Sequence, residues 1–426
     1  MDIPGLPADL WPLLASCAEG ARLAMVGGAV RDALLHRLHR DPWRGLMDLD
    51  LVLELPAVPG EAHGEVAPRM HRFVDGLATP LSRQQGLELL AARHHPSYGT
   101  AEIVVCFRGQ ELALDLATAR SEAYPLPGAN PAVRPGRLDD DLARRDFTIN
   151  AMAVLLPAMT LLDPHGGQAD LARRELRFLH ADSLRDDPTR LVRAARYAAR
   201  LDFALAASAR LQAERTIAEW PWLWRHGDDP AHAPAALATR LRMELELLLS
   251  RRRWHVALAH LQHWGGLLLL DPGLQRDRCW RRRLHWARRF EQPLLLALVA
   301  AAAAPLPLAQ RLQLPQAQCR LLAQAAALHD QLQALASEAQ QWPASAWTTL
   351  LEASPGAAHA VPLLLSCGVG PRRPLLRWWL RWRHQGAPCS ATELIAQGVP
   401  PGPQLGQRLR QLRLEALDQA EASPVR

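Results

Sequence analysis

Leucine alternates with a partner residue along "LMDLDLVLE" (46–54), where Leu49, Leu51 and Leu53 take every second position. That period of two predicts a strand whose other face carries Asp48 and Asp50. Just upstream, "RLAMVGG" (22–28) reads as a short strand running into a glycine turn, and "AVRDALLHRL" (29–38) as a helix. "TAEIVVCFRG" (100–109) and "ELALDLATA" (111–119) predict two further strands joined through "RGQ". The intervening residues 56–95, rich in Pro and Gly at their start, predict a loop and then one helix.

The pattern changes near Asp139. "LDDDLARRDFTINAMAVLL" (138–156) reads as helical, and "LLDPHGGQADLARRELRFL" (161–179) as a hairpin or loop followed by a short element. Beyond Asp187 a long Ala/Leu/Arg pattern predicts an almost wholly helical remainder, interrupted at "HGDDPAHAP" (226–234). The expected organisation is α+β: a small head over 1–155, a pocket-and-neck region over 156–270, and a helical body and tail over 271–426.

A chain of 426 residues with 49% hydrophobic content can bury a large core. Its 49 Lys+Arg are all arginine, and with 43 Asp+Glu they leave a formal charge of +6. Arginine's planar fork suits phosphate, so the balance leans toward an acidic partner such as nucleic acid. Six scattered cysteines show no metal-ligand spacing and suggest no disulfide framework. The start lacks a basic leader, and the apolar run "LLLALVAAAAAPLPLA" is short and broken by Pro305 and Pro307. A buried helix, no membrane span and a cytoplasmic location are therefore expected.

The acids change the picture most. Asp48 and Asp50 on one strand face suit either a solvated edge strand or a cation. Asp115, in a third strand-like segment, favours the cation if its strand adjoins theirs. Three converging carboxylates with no His or Cys at zinc-like spacing suit Mg²⁺, and with it phosphoryl or nucleotidyl transfer. Gly27 and Gly28 before a helix would then bring backbone N–H groups close to a phosphate. Arg31, one turn in, would add a forked contact to a triphosphate, with Asp32 holding it or ordering the loop.

The ordered segments "MVGGAVRDALLHR", "MDLDLVLE", "YGTAEIVV", "LDDDLARRDFTINAMAV", "DPHGGQADLARRELR" and "DDPTRLVRAARYAARLDF" resemble those of the eubacterial-type tRNA nucleotidyltransferase and bacterial poly(A) polymerase family, across about residues 25–203. The resemblance implies a polymerase-beta-like head with a mixed sheet, followed by an extended all-helical neck, body and tail. It also implies transfer of CMP or AMP from CTP or ATP to the tRNA 3′ end, with pyrophosphate released. Asp48 and Asp50 would be the metal-binding pair, and Asp115 remains a third candidate from geometry.

Within the resemblance, Arg144, Arg145, Asp146 and Asn150 shape the nucleotide pocket, with Asp146 and Asn150 sharing a helical face. Asp187 and Arg190 read the incoming base, through a carboxylate that accepts from an amino group and a guanidinium that donates to ring atoms. Arg193 and Arg196 follow on the same helical face, suited to triphosphate or template support. Asp186 departs from the family's usual Glu. Asp163 is expected to organise the link between head and pocket, with helix capping as one way, and not to ligate metal. Arg120 with Glu122 is expected as a pocket-supporting ion pair or a surface pair.

"RDRCWRRRLHWARR" (276–289) is the densest basic stretch. Arg278, Arg281, Arg282, Arg283, Arg288 and Arg289, interleaved with Trp280 and Trp286, suit an RNA backbone or a packed helix interface. Arg408, Arg410 and Arg413 make a second, weaker patch. The expected partners are the tRNA 3′ end and CTP or ATP, with no membrane and no obligate protein partner. Addition of CC, of the terminal A or of complete CCA stays open, as do poly(A) polymerase activity and an inactive RNA-binding homologue.

Overall fold

The structure is a computed structural model that describes the chain except residues 2, 19, 44, 46–47, 57–67, 69, 77–86, 96–98, 108, 355 and 423–426; of Asp48 and Gln340 it describes the backbone alone. Two compact units result. The first holds Met1–Arg225, Pro234–Glu244 and Arg251–Gly266, and the second His226–Ala233, Leu245–Ser250 and Leu267–Arg426. The expected division at residue 155 falls inside the first unit.

The first unit is built on a seven-stranded mixed sheet. Its strands are β1 (Arg22–Val26), β2 (Asp48–Glu54), β3 (Leu87–His95), β4 (Thr100–Phe107) and β5 (Gln110–Thr118), followed, after a separate two-stranded ribbon of β6 (Arg120–Ala123) and β7 (Ala132–Pro135), by β8 (Ala153–Leu156) and β9 (Thr160–Leu162). The order is β3-β4-β5-β2-β1-β8-β9. β2 is thus central, which removes the solvated-edge reading of its acids. Leu49, Leu51 and Leu53 are buried along it. Val52 is buried as well, packed with Val26, Leu138 and Leu142 on the helix Leu138–Ala143. Apolar cover on both sides is what a central strand requires.

Register carries the chemistry. β2 pairs β5 in parallel, setting Asp50 against Asp115, while antiparallel β4–β5 pairing sets Glu102 against the same Asp115. β1 pairs β2 with Val26 opposite Asp50. The glycine turn that follows Val26 therefore starts beside that carboxylate.

Two expected elements are corrected. The 138–156 segment is helical only over Leu138–Ala143; Thr148–Asn150 forms a single 3-10 turn, and Ala153–Leu156 becomes β8, paired with β1. The free edge of β1 takes up this short apolar run, and tertiary pairing overrides the local helical signal. In the 56–95 segment, residues 70–76 include helix, but Leu87–His95 is the edge strand β3, paired with β4. Its charged and polar positions on a half-covered edge hid it.

The second unit is helical. Leu294–Val299 is a short buried helix, and Pro305 starts the next one, where its missing N–H costs nothing. Among the described residues no helix is long and apolar enough to cross a membrane.

Candidate active site

A cavity of about 580 Å³ opens in the first unit. Of the residues expected to bind nucleotide or metal, Gly27, Gly28, Asp50, Arg144, Arg145, Asp146, Asn150, Asp187, Arg190 and Arg193 line it. An adjoining cavity of about 400 Å³ holds Asp50 again, with Asp115, Glu102, Arg144 and Arg145. Asp50 and Arg144–Arg145 are common to both, so the acids and the cationic pair share one region. The side chain of Asp48, two positions from Asp50 on β2, lies outside the described residues.

Gly27 precedes the helix Gly28–His39 with φ 70° and ψ −130°. A Cβ there would stand 2.7 Å from Asp50 Oδ2. Glycine is required twice, by the backbone angle and by the approach of the carboxylate.

The cationic pair is set by Asp141, which is fully buried. Its Oδ1 accepts from Arg144 Nε at 3.0 Å and NH2 at 2.6 Å, and its Oδ2 accepts from Arg145 NH2 at 2.8 Å. Arg144 NH1 also donates to Glu122 at 2.9 Å, and Glu122 lies 3.2 Å from Arg120 NH2. The Arg120–Glu122 pair thus stands at the pocket wall, with both residues lining it. Sequence reasoning passed over Asp141. Its signal was the i, i+3 and i, i+4 spacing to two arginines in "DLARR".

Asp146 and Asn150 do meet, although not on a continuous helix. Asn150 Nδ2 donates to Asp146 Oδ1 at 2.9 Å, which also accepts from the Phe147 N–H at 2.8 Å. Asp146 Oδ2 takes Arg193 at 2.6 Å, and Arg193 NH1 reaches Glu244 at 3.0 Å. Burial alone would raise the Asp146 pKa, but Arg193, the Asn150 amide and Arg190 outweigh it and hold it below the ordinary carboxylate value. Asp146 and Glu244 keep Arg193 firmly charged.

That shift has a sign. A carboxylate with a depressed folded pKa stabilises the fold fully above its unfolded value of about 4, and the contribution is lost as pH falls through the folded value. Asp146→Asn is expected to lower stability at neutral pH, with the gap to wild type closing on acidification. Denaturant titrations of both proteins at stepped pH measure it; a gap that stays constant refutes the linkage.

Arg31 corrects an expectation. It is 2% exposed, donates from NH1 to Asn150 Oδ1 at 2.8 Å and from Nε to Asp32 at 2.7 Å, and stacks on Tyr197 with 5.3 Å to the ring centroid. Its fork is used inside the protein, so it orders Asn150 and does not reach into the cavity. Arg196 is similar: NH2 donates to Glu244 at 3.2 Å and its guanidinium packs on Tyr197 at 5.0 Å, behind the cavity wall. Asp32 holds Arg31 as expected and also meets Arg200 at 3.3 Å.

Asp187 Oδ1 accepts from Thr189 N at 3.0 Å and Oγ1 at 2.6 Å, capping the start of the helix Thr189–Leu201. Its Oδ2 lies 3.7 Å from Arg240 NH1. Arg190 is buried, with NH2 donating to the Arg144 carbonyl at 3.1 Å and NH1 3.4 Å from His180 Nε2. Asp187 and Arg190 thus face one cavity in fixed orientations. Asp163 caps the helix Gly167–Arg173, accepting from Gly167 N at 2.6 Å and Gln168 N at 3.0 Å.

In the second unit, Arg278, Arg281, Arg282, Arg288 and Arg289 are exposed on and just before the helix Trp280–Arg289. Arg281 and Arg289 lie over Trp280 and Trp286 at 5.3 and 5.6 Å. Arg283 departs from this group: it is half-buried and pairs with Asp277 at 2.5 Å. Arg413 is likewise spent on structure, forked onto Glu352 at 2.7 and 2.8 Å and onto the Gln385 carbonyl at 2.6 Å.

Known proteins match this arrangement. Residues 23–177 fit the family model of the poly A polymerase head domain. A CC-adding tRNA nucleotidyltransferase of Deinococcus radiodurans is 35% identical over 395 residues, covering 92% of this chain and 83% of the relative. An A-adding tRNA nucleotidyltransferase of Aquifex aeolicus is 40% identical over 190 residues, 44% of this chain and 19% of the relative. Among solved structures, a CCA-adding enzyme in an apo form shares the fold with a TM-score of 0.66 at 23% identity, covering 96% of this chain and 92% of that one. The Thermotoga maritima CCA-adding enzyme complexed with tRNA gives 0.61 at 23% identity, over 96% and 91%.

Proposed function

The chain belongs to the tRNA nucleotidyltransferase and poly(A) polymerase family, and from that premise we propose that it transfers CMP and/or AMP from CTP or ATP to the 3′ end of tRNA, forming all or part of the CCA terminus. The observation that carries the reading is the parallel register of Asp50 with Asp115, where Asp50 lines the cavity of Arg144, Arg145, Arg190 and Arg193 and both acids line the adjoining one. An acid cluster beside an arginine-walled cavity is what joining an RNA hydroxyl to a nucleoside triphosphate calls for. Similarity to the CC-adding relative over most of both chains supports CTP as a substrate.

In the reaction, the 3′-hydroxyl oxygen bonds to the α-phosphorus, the α–β phosphoanhydride breaks, and pyrophosphate leaves. Asp50 and Asp115, with Glu102 opposite Asp115 and Asp48 two positions along β2 as a further candidate, would offer an all-oxygen set that suits Mg²⁺. When bound, such an ion neutralises phosphate charge and lowers the pKa of the attacking hydroxyl. Arg144 and Arg145, held by Asp141, meet the triphosphate without reorganising. Arg193, held by Asp146 and lining the same cavity, adds a further cation to it. Asp187 and Arg190 present an acceptor and a donor to the base, a pairing that favours the amino groups of C and A over the carbonyl of U.

The test uses tRNA lacking one, two or three terminal nucleotides, Mg²⁺, and CTP or ATP, with the product ends sequenced. Defined addition to tRNA supports the reading, and the preferred truncation assigns CC, A or CCA. No incorporation would leave an RNA-binding protein, and extension of any RNA with ATP alone a poly(A) polymerase. Arg190→Ala is expected to raise UTP misincorporation by about tenfold, the loss of one charge-assisted hydrogen bond. Unchanged preference among C, A and U would reject the base contact.

A further inference from the structure

Away from the cavities, His71, Asp75 and His94 bring two imidazoles and a carboxylate together, with one ligand atom from each within 4.8 Å of the others. His71 and Asp75 are four apart in the helical stretch 70–76 and so share a face. His71 Nε2 lies 3.2 Å from Asp75 Oδ2. By itself that is an ordinary surface pair. His94 arrives from a different element, the edge strand β3, with Nε2 3.9 Å from Asp75 Oδ1 and its ring centroid 4.0 Å from that of His71.

We propose that these three side chains bind one zinc-class divalent cation, clipping β3 to the helical stretch beside it. The chemistry fits at each point. Two imidazole nitrogens and a carboxylate oxygen suit Zn²⁺, Co²⁺ or Ni²⁺ and not the oxygen-seeking Mg²⁺. A tetrahedral ion with bonds of about 2.0–2.1 Å sets its ligand atoms about 3.3 Å apart. The 3.2 Å contact of Asp75 Oδ2 already has that spacing, and His94 faces the other oxygen at 3.9 Å. With one ligand atom from each residue within 4.8 Å of the others, rotation of the exposed Asp75 side chain closes the set. Two adjacent imidazoles repel when both are protonated, and a shared ion turns that liability into two bonds. Water completes the shell. His95, the next residue of β3, lines the cavity that holds Asp50 and Asp115. The clip therefore fixes the strand that forms one wall of the acid cluster, yet its ligands are separate from those acids.

The experiment is a calorimetric titration of the chelator-stripped full-length chain with ZnCl₂ in excess Mg²⁺, which occupies oxygen-only sites. One Zn²⁺ per chain is expected, with affinity reduced at least about tenfold by His71→Ala, Asp75→Asn or His94→Ala, since even indirect support of a metal ligand is worth that much. Zinc should raise the melting temperature of wild type and not of the His71→Ala/His94→Ala double variant. Co²⁺ in the wild-type chain should show the visible absorption of a four-coordinate site, lost in the double variant. Equal zinc affinity in the double variant, or no binding to wild type, overturns the proposal. His71 and Asp75 are more than half exposed, so their single replacements leave the fold intact, and the melting temperature of the zinc-free double variant checks that it too is folded.

Discussion

Asp50→Asn is expected to lose at least about a thousandfold in the rate of nucleotide addition while retaining tRNA binding. The substitution keeps the shape and removes the charge. Asp50 sits on the central strand, directly across a parallel pairing from Asp115, and lines both cavities. A metal-assisted transfer draws several kcal/mol from such a group, and about 1.4 kcal/mol is a factor of ten. Single-turnover addition of CMP or AMP to truncated tRNA, with binding measured in parallel, is the check. Full turnover by a folded Asp50→Asn protein would remove the acid cluster from the chemistry. Asp115→Asn, measured alongside, tests the third carboxylate: a fall of similar size makes it a ligand, and wild-type rates make it a bystander.

Gly27→Ala should cost about a hundredfold in rate, and Gly28→Ala, in the same cavity but clear of Asp50, distinctly less. The two glycines are neighbours in sequence and differ in what surrounds them. At Gly27 the backbone holds φ 70° and a methyl group would press to 2.7 Å from Asp50 Oδ2. Backbone strain of about 1–3 kcal/mol is one consequence. The larger one is displacement of the carboxylate, since a misplacement of about 1 Å at a reacting centre costs about a hundredfold. At Gly28 the methyl would meet only Arg31 NH2, at an ordinary 3.7 Å. Equal rates for the two variants would show that the turn does not position Asp50.

How much was legible depended on distance along the chain. Asp48 and Asp50 on alternate strand positions and the glycine turn into a helix were readable from local spacing. Residues 144–156 misled because the helical pattern of the segment competed with a strand partner more than a hundred residues away. Arg31, Arg196, Arg283 and Arg413 were read as available cations because nothing nearby in sequence revealed how fully each is occupied in the fold. Asp141 was missed for the converse reason: it is an unremarkable acid until two arginines close on it in the interior.

The sequence by itself determined which residue types fall on which face, because a strand repeats every two positions and a helix every 3.6, whatever surrounds them. Only the tertiary structure decided that β5 runs beside β2, that Asp115 thereby meets Asp50, and which guanidiniums face the cavity and which are taken up by partners elsewhere in the fold. Strand adjacency and ion pairing are settled between segments far apart in the chain, by backbone hydrogen bonds and by the desolvation penalty on any charge left without a partner.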